Sequence, residues 1–263
     1  MGTLSLQVDK VADLIISSGK IVVFTGAGVS TESGIPDFRS PGGIWSKFDP
    51  EDFTIQKFIS DPESRKRQWK FLADGGFLAD AEPNPAHLAI AALETMDKLD
   101  AVITQNIDNL HQKAGSSPDK VFELHGNMNW VVCLRCQARY PLDDIKERLE
   151  NGEEIPDCEQ CNGMLKPDVV LFGEALPTDV MAKAVEHARN CDLLIVIGSS
   201  LVVYPAAYIP AYASEAGAKL VIINMTGTSY DYVSHVVIYN RAGEVMEKVL
   251  ERVREKIQKR KSK

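Results

Sequence analysis

The chain has 263 residues, of which 44% are hydrophobic and 25% charged, a composition typical of a globular protein. Its length corresponds to one large domain, or to one large domain and a small one. Its apolar runs fall far short of the roughly 20 residues of a membrane-spanning helix, and no leader segment is visible, so we expect a cytoplasmic protein with no membrane partner. The formal net charge of −8 argues against direct nucleic-acid binding, which requires a basic face.

Short apolar strands alternate with helices along the chain. An amphipathic helix over 8–18 leads into a buried strand at 21–25, and further strands are predicted at 101–104, 169–172, 193–197 and 220–223. Helices are predicted at 85–96, 177–188, 206–215 and 244–256. Strands buried on both faces and separated by helices indicate an α/β fold, a Rossmann-like parallel sheet with helices on both faces.

Two segments interrupt this alternation. Residues 43–83 lack strands and predict a helical insertion rich in aromatic residues, which are Trp45, Phe48, Phe53, Phe58, Trp69, Phe71 and Phe77. Residues 127–166 carry four cysteines and are interpreted as a zinc ribbon. We expect the two insertions to form one small domain beside a large Rossmann-like domain of residues 1–42, 84–126 and 167–263, with a cleft between them.

The four cysteines form two Cys-x-x-Cys pairs, Cys133/Cys136 and Cys158/Cys161. Without a secretion signal, such pairs predict one tetrahedral zinc ion rather than disulfides. Four thiolates leave no position for water, so the predicted zinc is structural, with one ion per chain. A zinc ribbon that docks on nucleic acid is the alternative, but acidic residues outnumber basic ones in this segment.

A glycine turn, Gly26-Ala-Gly28, directly follows the first strand and suits a phosphate, because backbone N–H groups can face an anion there. Thr31 replaces the third glycine of the dehydrogenase fingerprint, and loop sequence stands where a second strand and its acid belong. A hydride-transfer site is therefore not expected. The other polar motifs at predicted strand or loop ends are Gly34-Ile-Pro-Asp-Phe-Arg39, Thr104-Gln-Asn-Ile-Asp108, His125-Gly126, Phe172-Gly-Glu174 and Gly198-Ser-Ser200.

These motifs, in this order, resemble those of the sirtuins, the NAD-dependent protein lysine deacylases, over about residues 8–249. The short chain is similar to bacterial or archaeal members. The resemblance implies that NAD is a co-substrate and that the acyl group of a lysine is transferred to ADP-ribose, releasing nicotinamide, 2′-O-acyl-ADP-ribose and free lysine. The alternative enzyme class is an NAD-dependent protein mono-ADP-ribosyltransferase, which would use the same cofactor site.

The resemblance also implies roles for individual residues. His125 matches the general base, and Asn106 and Asp108 complete the predicted catalytic set. The predicted cofactor-binding residues are Gly26, Ala27, Gly28, Ser30, Thr31, Asp37, Phe38, Arg39, Gln105, Asn106, Ile107, Asp108, Gly198, Ser199, Ser200, Asn224, Met225 and Ala242. The predicted substrate-binding residues are Val170, Phe172, Gly173, Glu174, Val202 and Tyr204, and the predicted partner is an acetyl-lysine peptide or protein bound in extended conformation.

The acyl preference is predicted from one pair of positions in the helical insertion. Sirtuins that favour succinyl or malonyl groups carry a Tyr-x-x-Arg pair, and Phe71 and Asp74 align with it here. An aspartate would repel a second carboxylate. Neutral acyl groups, acetyl first, are therefore the expected substrates.

Overall fold

In the computed structural model, which describes residues 3–76, 78 and 81–261, nine strands form two sheets. The strands are β1 (Ile21–Thr25), β2 (Leu99–Thr104), β3 (Val121–Glu123), β4 (Gly126–Cys133), β5 (Arg139–Pro141), β6 (Leu165–Val169), β7 (Leu193–Ile197), β8 (Lys219–Asn224) and β9 (Val236–Tyr239). The larger sheet is wholly parallel, in the order β3-β2-β1-β7-β8-β9. Counted within that sheet alone, this is the strand order of a Rossmann fold.

Helices cover both faces of the parallel sheet. In chain order, the helices of the described residues are α1 (Thr3–Ser17), α2 (Ile55–Ser60), α3 (Pro62–Ala73), α4 (Pro85–Thr95), α5 (Leu110–Lys113), α6 (Leu142–Glu150), α7 (Thr178–Asn190), α8 (Ile209–Glu215) and α9 (Ala242–Lys261). One buried core joins the sheet to α1, α4 and α9, and a second joins its other face to α7 and α8. The central strands β1 and β7 are buried at every position because apolar helix stripes cover both of their faces.

The smaller sheet is antiparallel, in the order β5-β4-β6. Its core includes Val131, Ile145 and Leu165, together with the fully buried Trp69 of α3. The helical insertion and the cysteine-bearing segment therefore share one core. Asp61 caps α3 by accepting hydrogen bonds from the main-chain N–H groups of Glu63 and Ser64, which fixes where this helix begins.

The structure confirms the predicted fold class and corrects one strand. The strands predicted at 21–25, 101–104, 193–197 and 220–223 lie within two residues of β1, β2, β7 and β8. The strand predicted at 169–172 is wrong, because β6 ends at Val169 and pairs with β4 in the antiparallel sheet. An apolar run of this length predicts a buried strand but does not reveal its partner, which is distant in sequence. Phe77, one of the predicted insertion aromatics, lies outside the described residues.

Among the helices that the structure describes, none combines the length and the apolar character needed to cross a membrane.

Candidate active site

A cavity of about 1100 Å³ lies where the central strands end, between the parallel sheet and the antiparallel one. Gly26, Gln105 and Gly198 directly follow β1, β2 and β7, and all three line the cavity. Asn224, the last residue of β8, lines it as well. The chain reverses its direction across the sheet between β1 and β7, which is where open α/β sheets bind ligands. Every predicted catalytic, cofactor-binding and substrate-binding residue lines this cavity except Val202.

The glycine turn brings two main-chain loops into direct contact. The N–H of Gly28 donates to the carbonyl of Gly198 at 2.8 Å, and a Cβ on Gly28 would lie 2.8 Å from the Cα of Gly198. Gly198 has φ +63°, and a Cβ there would lie 2.2 Å from the nitrogen of Val29. Any side chain would force these loops apart. The wall they form is bare main chain, which fits the close approach of a dinucleotide pyrophosphate.

Three polar side chains interlock beside this turn. The hydroxyl of Ser30 donates to Oδ2 of Asp108 at 2.7 Å, while Nδ2 of Asn106 donates to Ser30 Oγ at 3.0 Å and to the same carboxylate oxygen at 3.2 Å. The main-chain N–H of Leu110 donates to the other oxygen of Asp108 at 3.0 Å. These donors hold the carboxylate in one orientation. The site thus presents a fixed amide and a fixed carboxylate to the cavity.

Two buried histidines, His87 and His111, lie next to this group, and His87 contacts Ser30. Nδ1 of His87 accepts from the main-chain N–H of Asn84, the residue that caps α4, so His87 carries its proton on Nε2, 3.4 Å from Ser30 Oγ. His111 lies with its Nε2 2.9 Å from the hydroxyl of Thr25, and the two rings are 5.0 Å apart. Burial lowers the pKa of His87 to about 4 and that of His111 to about 3, so both are neutral near pH 7.

His125 faces the cavity from the loop between β3 and β4. Its Nδ1 lies 2.8 Å from the carbonyl oxygen of Gln105. A carbonyl can only accept, so Nδ1 is the protonated nitrogen and Nε2 keeps its lone pair. Burial lowers the pKa of His125 below 6.5, and the hydrogen bond to Gln105 opposes part of that shift. The imidazole is therefore a neutral, oriented base at pH 7.

The loop that contains the predicted cofactor-binding residues Asp37, Phe38 and Arg39 is ordered by the side chain of Asp37 and contacts the rest of the site through aromatic rings. The carboxylate of Asp37 accepts from the main-chain N–H groups of Arg39 and Ser40 at 3.0 and 2.7 Å, so this side chain orders the turn. The ring of Phe38 lies 5.1 Å from that of Trp45, which in turn lies 5.9 Å from Phe172. Trp45 thus connects the predicted cofactor loop to the predicted substrate segment.

The predicted substrate segment, 170–174, follows β6 as an extended stretch. The N–H of Val170 donates to the carbonyl of His125 at 2.9 Å, and Phe172 exchanges main-chain hydrogen bonds with Phe53 and Ile55. The strand predicted at 169–172 would place Val170 and Phe172 in the main sheet. They line the cavity instead from this segment, which links the base to the helical insertion.

A buried ammonium holds that segment in place. Lys166 is only 4% exposed, and its Nζ donates to the carbonyl oxygens of Pro167 and Val169 and to Oε2 of Glu174 at 3.0 Å. The same carboxylate oxygen accepts from the N–H of Leu171 at 2.8 Å. The carboxylate of Glu174 therefore turns inward to this ion pair, although the residue was predicted as a substrate contact.

The opposite edge of the predicted peptide cleft contains Val202 and Tyr204. Tyr204 lines the cavity and is 55% exposed, whereas Val202 is 53% exposed and lies outside the cavity wall. The two residues stand in a stretch with no regular secondary structure, so alternation along a strand does not hold them on one face. Val203 and Pro205 line the cavity in addition to Tyr204.

The far end of the cavity gathers the remaining predicted cofactor residues. Nε2 of Gln105 donates to the hydroxyl of Ser199 at 2.8 Å, which links β2 to the turn after β7. Asn224 donates to the carbonyl of Thr226 at 2.8 Å, and its neighbour Met225 is 63% exposed. Glu32 was not among the predicted site residues. Its carboxylate accepts a hydrogen bond from the N–H of Gly243 at 2.6 Å and so joins the segment after the glycine turn to the first turn of α9, beside Ala242.

The four predicted zinc ligands converge outside the cavity. The sulfur atoms of Cys133, Cys136, Cys158 and Cys161 all lie within 4.8 Å of one another, and none of them forms a disulfide. A Cβ on Gly163 would lie 3.0 Å from the sulfur of Cys133 and 3.1 Å from that of Cys161, so the turn closes tightly around the group. Four thiols at this spacing fit a structural zinc ion. The fifth cysteine, Cys191, is a buried thiol in the core against α7 and α8.

Sequence reasoning missed several residues that shape the site, namely Glu32, Trp45, His87, His111 and Lys166. His87 has a local signal, because Asn84-Pro-Ala-His87 begins a helix and its fourth residue completes the cap. The others act through contacts that are distant along the chain, so no spacing in the sequence reveals them.

Comparisons with known proteins agree with this geometry. A family model described as the Sir2 family matches residues 26–205. An NAD-dependent protein deacetylase of Caldivirga maquilingensis is 47% identical over 93% of this chain and 93% of its own. An NAD-dependent protein deacylase of Archaeoglobus fulgidus is 47% identical over 94% of this chain and 96% of its own.

Solved structures give the same result. One solved structure, described by the words "Structural Basis for the Mechanism and Regulation of Sir2 Enzymes", superposes on this chain with a TM-score of 0.86. The two sequences are 47% identical, and the match covers 95% of this chain and 98% of the other. Another, a Sir2 protein with a p53 peptide and NAD+, has a TM-score of 0.83 and 41% identity, covering 92% of this chain and 96% of its own. By its motifs, its fold and these likenesses, the chain belongs to the Sir2 family, the sirtuins.

Proposed function

We propose that this protein removes acetyl and other neutral acyl groups from protein lysine side chains in an NAD-dependent reaction, which consumes one water molecule and yields nicotinamide, 2′-O-acyl-ADP-ribose and free lysine. The observation that carries the proposal is His125, a neutral and oriented imidazole in the same cavity as the bare main chain of the glycine turn. Its curated relatives are named NAD-dependent deacetylases or deacylases, which favours this function over protein ADP-ribosyltransfer.

The residues around the glycine turn are those that would hold NAD. The main chain at Gly26, Gly28 and Gly198 would face the pyrophosphate, and Asn106 and Asp108 would meet the nicotinamide ribose and carboxamide. Bound NAD supplies the chemistry of a ribose C1′ carbon that becomes electrophilic when nicotinamide leaves. The protein supplies position, a proton acceptor and protection from water.

Nε2 of His125 is the proton acceptor. In the proposed reaction it takes a proton from a ribose hydroxyl, while the bond from Nδ1 to the Gln105 carbonyl keeps the ring in that orientation. The Ser30–Asp108–Asn106 group fixes its own donors and acceptors before the cofactor arrives, so little reorganisation is needed. Phe38 and Trp45, whose rings are in contact, would form an apolar cover that excludes water from the ribose of bound NAD.

The acyl-lysine peptide is proposed to bind in extended form between the 172–174 segment and Tyr204. A solved relative holds a peptide together with NAD+. Main-chain hydrogen bonds would supply most of the affinity in such an added strand, so recognition of the flanking sequence should be loose.

The structure changes the argument for neutral acyl groups. Asp74 pairs with Lys70 at 3.0 Å on the surface and does not line the cavity, so it does not repel an acyl carboxylate as predicted. Phe71 does line the cavity, on the side of the helical insertion. The aromatic wall at this position supports the preference.

We also propose that residues 1–42, 84–126 and 167–263 form the large domain and that 43–83 and 127–166 form the small one. Support comes from the two separate sheets and from the core that α3 shares with the antiparallel sheet. A cytoplasmic location and the lack of nucleic-acid binding stay predictions of the sequence.

The proposal is tested by incubating the protein with NAD and an acetyl-lysine peptide, beside the variants His125→Ala and His235→Ala. We expect nicotinamide release to require the peptide, and mass spectrometry to find acyl-ADP-ribose in solution. His125→Ala should lose roughly a hundredfold or more of lysine formation, as general bases contribute factors of about 10² to 10⁴. His235 is exposed and outside the cavity, so its variant should keep full activity.

ADP-ribose attached to protein, with the peptide still acetylated, would contradict deacylation. A succinyl-lysine peptide consumed faster than its acetyl counterpart would contradict the acyl preference.

A further inference from the structure

Five of the seven tyrosines of the chain lie on two short segments, and the first of the five, Tyr204, lines the cavity. We call them the tyrosine surface, and they are Tyr204, Tyr208, Tyr212, Tyr230 and Tyr232. Tyr232 is 86% exposed and Tyr208 48%, and the apolar side chains of Val202 and Val233 are exposed on the same two segments. An exposed group of large apolar side chains at a binding cleft is typical of an interaction site.

Ring contacts join three of these tyrosines, and a hydrogen bond ties a fourth to the same segment. The ring centroids of Tyr204 and Tyr208 are 4.6 Å apart, and those of Tyr208 and Tyr212 are 6.5 Å apart. The hydroxyl of Tyr230 donates to the carbonyl of Ala207 at 3.1 Å, which anchors the second segment to the first. Burial, and then the nearby phenol groups of Tyr204, Tyr208 and Tyr232, raise the pKa of Tyr230.

The surface begins inside the proposed substrate cleft, because Tyr204 lines the cavity and the other rings lead away from it. In an extended chain that advances about 3.3 Å per residue, the path from Tyr204 to Tyr212 corresponds to about three residues. A peptide that leaves the cleft on this side would therefore pass over several phenol rings in succession.

The chemistry of the surface favours a cationic segment. Aromatic faces attract guanidinium and ammonium groups, and the guanidinium of Arg189 already lies 5.0 Å from the ring centroid of Tyr212. Asp231 stands between two of the tyrosines in sequence, and Glu215 lies close enough to Tyr230 to affect its titration. The net charge of −8 adds attraction for a basic partner.

On the basis of the proposed function, we propose that the tyrosine surface binds arginine or lysine side chains that flank the acyl-lysine of the substrate, several residues away on one side. The surface then selects substrates by charge outside the cleft, while the cleft itself recognises the acyl-lysine. Exposed cation–π contacts correspond to roughly two- to fivefold in affinity each.

The test compares long and short acetyl-lysine peptides. Each long peptide carries either arginine or glutamate at the fourth to sixth positions counted from the acetyl-lysine. One pair of long peptides has these residues before the acetyl-lysine, and a second pair has them after it. The short peptide ends two residues from the acetyl-lysine on both sides. We expect KM for the long arginine peptide to be roughly two- to fivefold lower than for its glutamate partner, on one side only. Tyr208→Ala and Tyr232→Ala should abolish that difference and leave the kinetics of the short peptide unchanged.

Leu88→Ala is the matched control, since Leu88 is a 52% exposed apolar side chain on α4 and outside the cavity. It should preserve the arginine preference. Two results would overturn this inference and leave the deacylase function standing. In the first, the short peptide is turned over but the long arginine and glutamate peptides have the same KM. In the second, the arginine preference survives both tyrosine substitutions. Failure to turn over any peptide would instead contradict the proposed function. Tyr208→Leu supplies a second, bulkier variant if the alanine variant unfolds.

Discussion

A single hydrogen bond determines how His125 can act. The carbonyl of Gln105 cannot donate, so the bond at 2.8 Å assigns the proton to Nδ1 and leaves Nε2 as the basic nitrogen. The acceptor is a main-chain atom at the end of β2, and the parallel sheet fixes its position. The tautomer of His125 therefore follows from the fold, and it exists before any substrate binds.

The pH dependence of activity should follow from the pKa of this residue. Burial lowers the pKa of His125 below 6.5, and the base must be neutral to accept a proton. The neutral form therefore persists to a lower pH than in a free histidine, and kcat/KM should fall only as the pH drops below 6.5. A profile with saturating NAD measures this, and an acid limb centred at or above 6.5 would contradict the assigned environment.

At the scale of an element, the segment after β6 depends on the ammonium of Lys166. Its bonds to two carbonyls and to Glu174 hold the stretch that continues beyond Val169, the last residue of β6. Main-chain atoms of this stretch bond both to His125 and to the helical insertion. Lys166 is thus a positioning residue that acts through Val170 and Phe172.

Lys166→Met should raise KM for the acetyl-lysine peptide by on the order of tenfold to a hundredfold, because it leaves the Glu174 carboxylate without its cation and frees the segment. Lys166→Arg should restore most of the loss. Affinity for ADP-ribose should not change, since the glycine turn lies on other strands. Equal losses of peptide and ADP-ribose affinity would indicate general unfolding rather than positioning.

At the scale of the whole molecule, two sheets with separate cores enclose the site. Trp69 is fully buried against the small sheet, so the helical insertion depends on the same core as the cysteine segment. That core is small, and four converging thiolates add folding free energy to it when zinc binds. The metal then stabilises one wall of the cavity from outside it.

Removal of zinc by a chelator, or Cys133→Ala, should unfold the small sheet and abolish deacylation while the parallel sheet keeps its structure. Cys191→Ala is the matched control and should retain zinc and activity, because Cys191 lies in the other core. Circular dichroism, zinc content and activity measure the outcome. A zinc-free protein that stays folded and active would show that the four thiols have no structural role.

The sequence predicted the parallel sheet, the glycine turn and the four-thiol group because each has a local pattern: an apolar run, a strand followed by glycines, or a fixed spacing of cysteines. It failed for 169–172, where an apolar run was assigned to the wrong sheet. Strand pairing joins residues that are distant in the chain, and a local pattern does not encode the partner.

The amino-acid sequence by itself therefore determined the family and four strands of the main sheet, and it predicted which side chains carry chemistry. Only the tertiary structure decided which nitrogen of His125 is basic, where the carboxylate of Glu174 points, and that Val202 stands outside the cavity. These outcomes depend on atoms brought together from different strands and loops. Their energies arise from burial and from hydrogen bonds that exist only once the chain has folded.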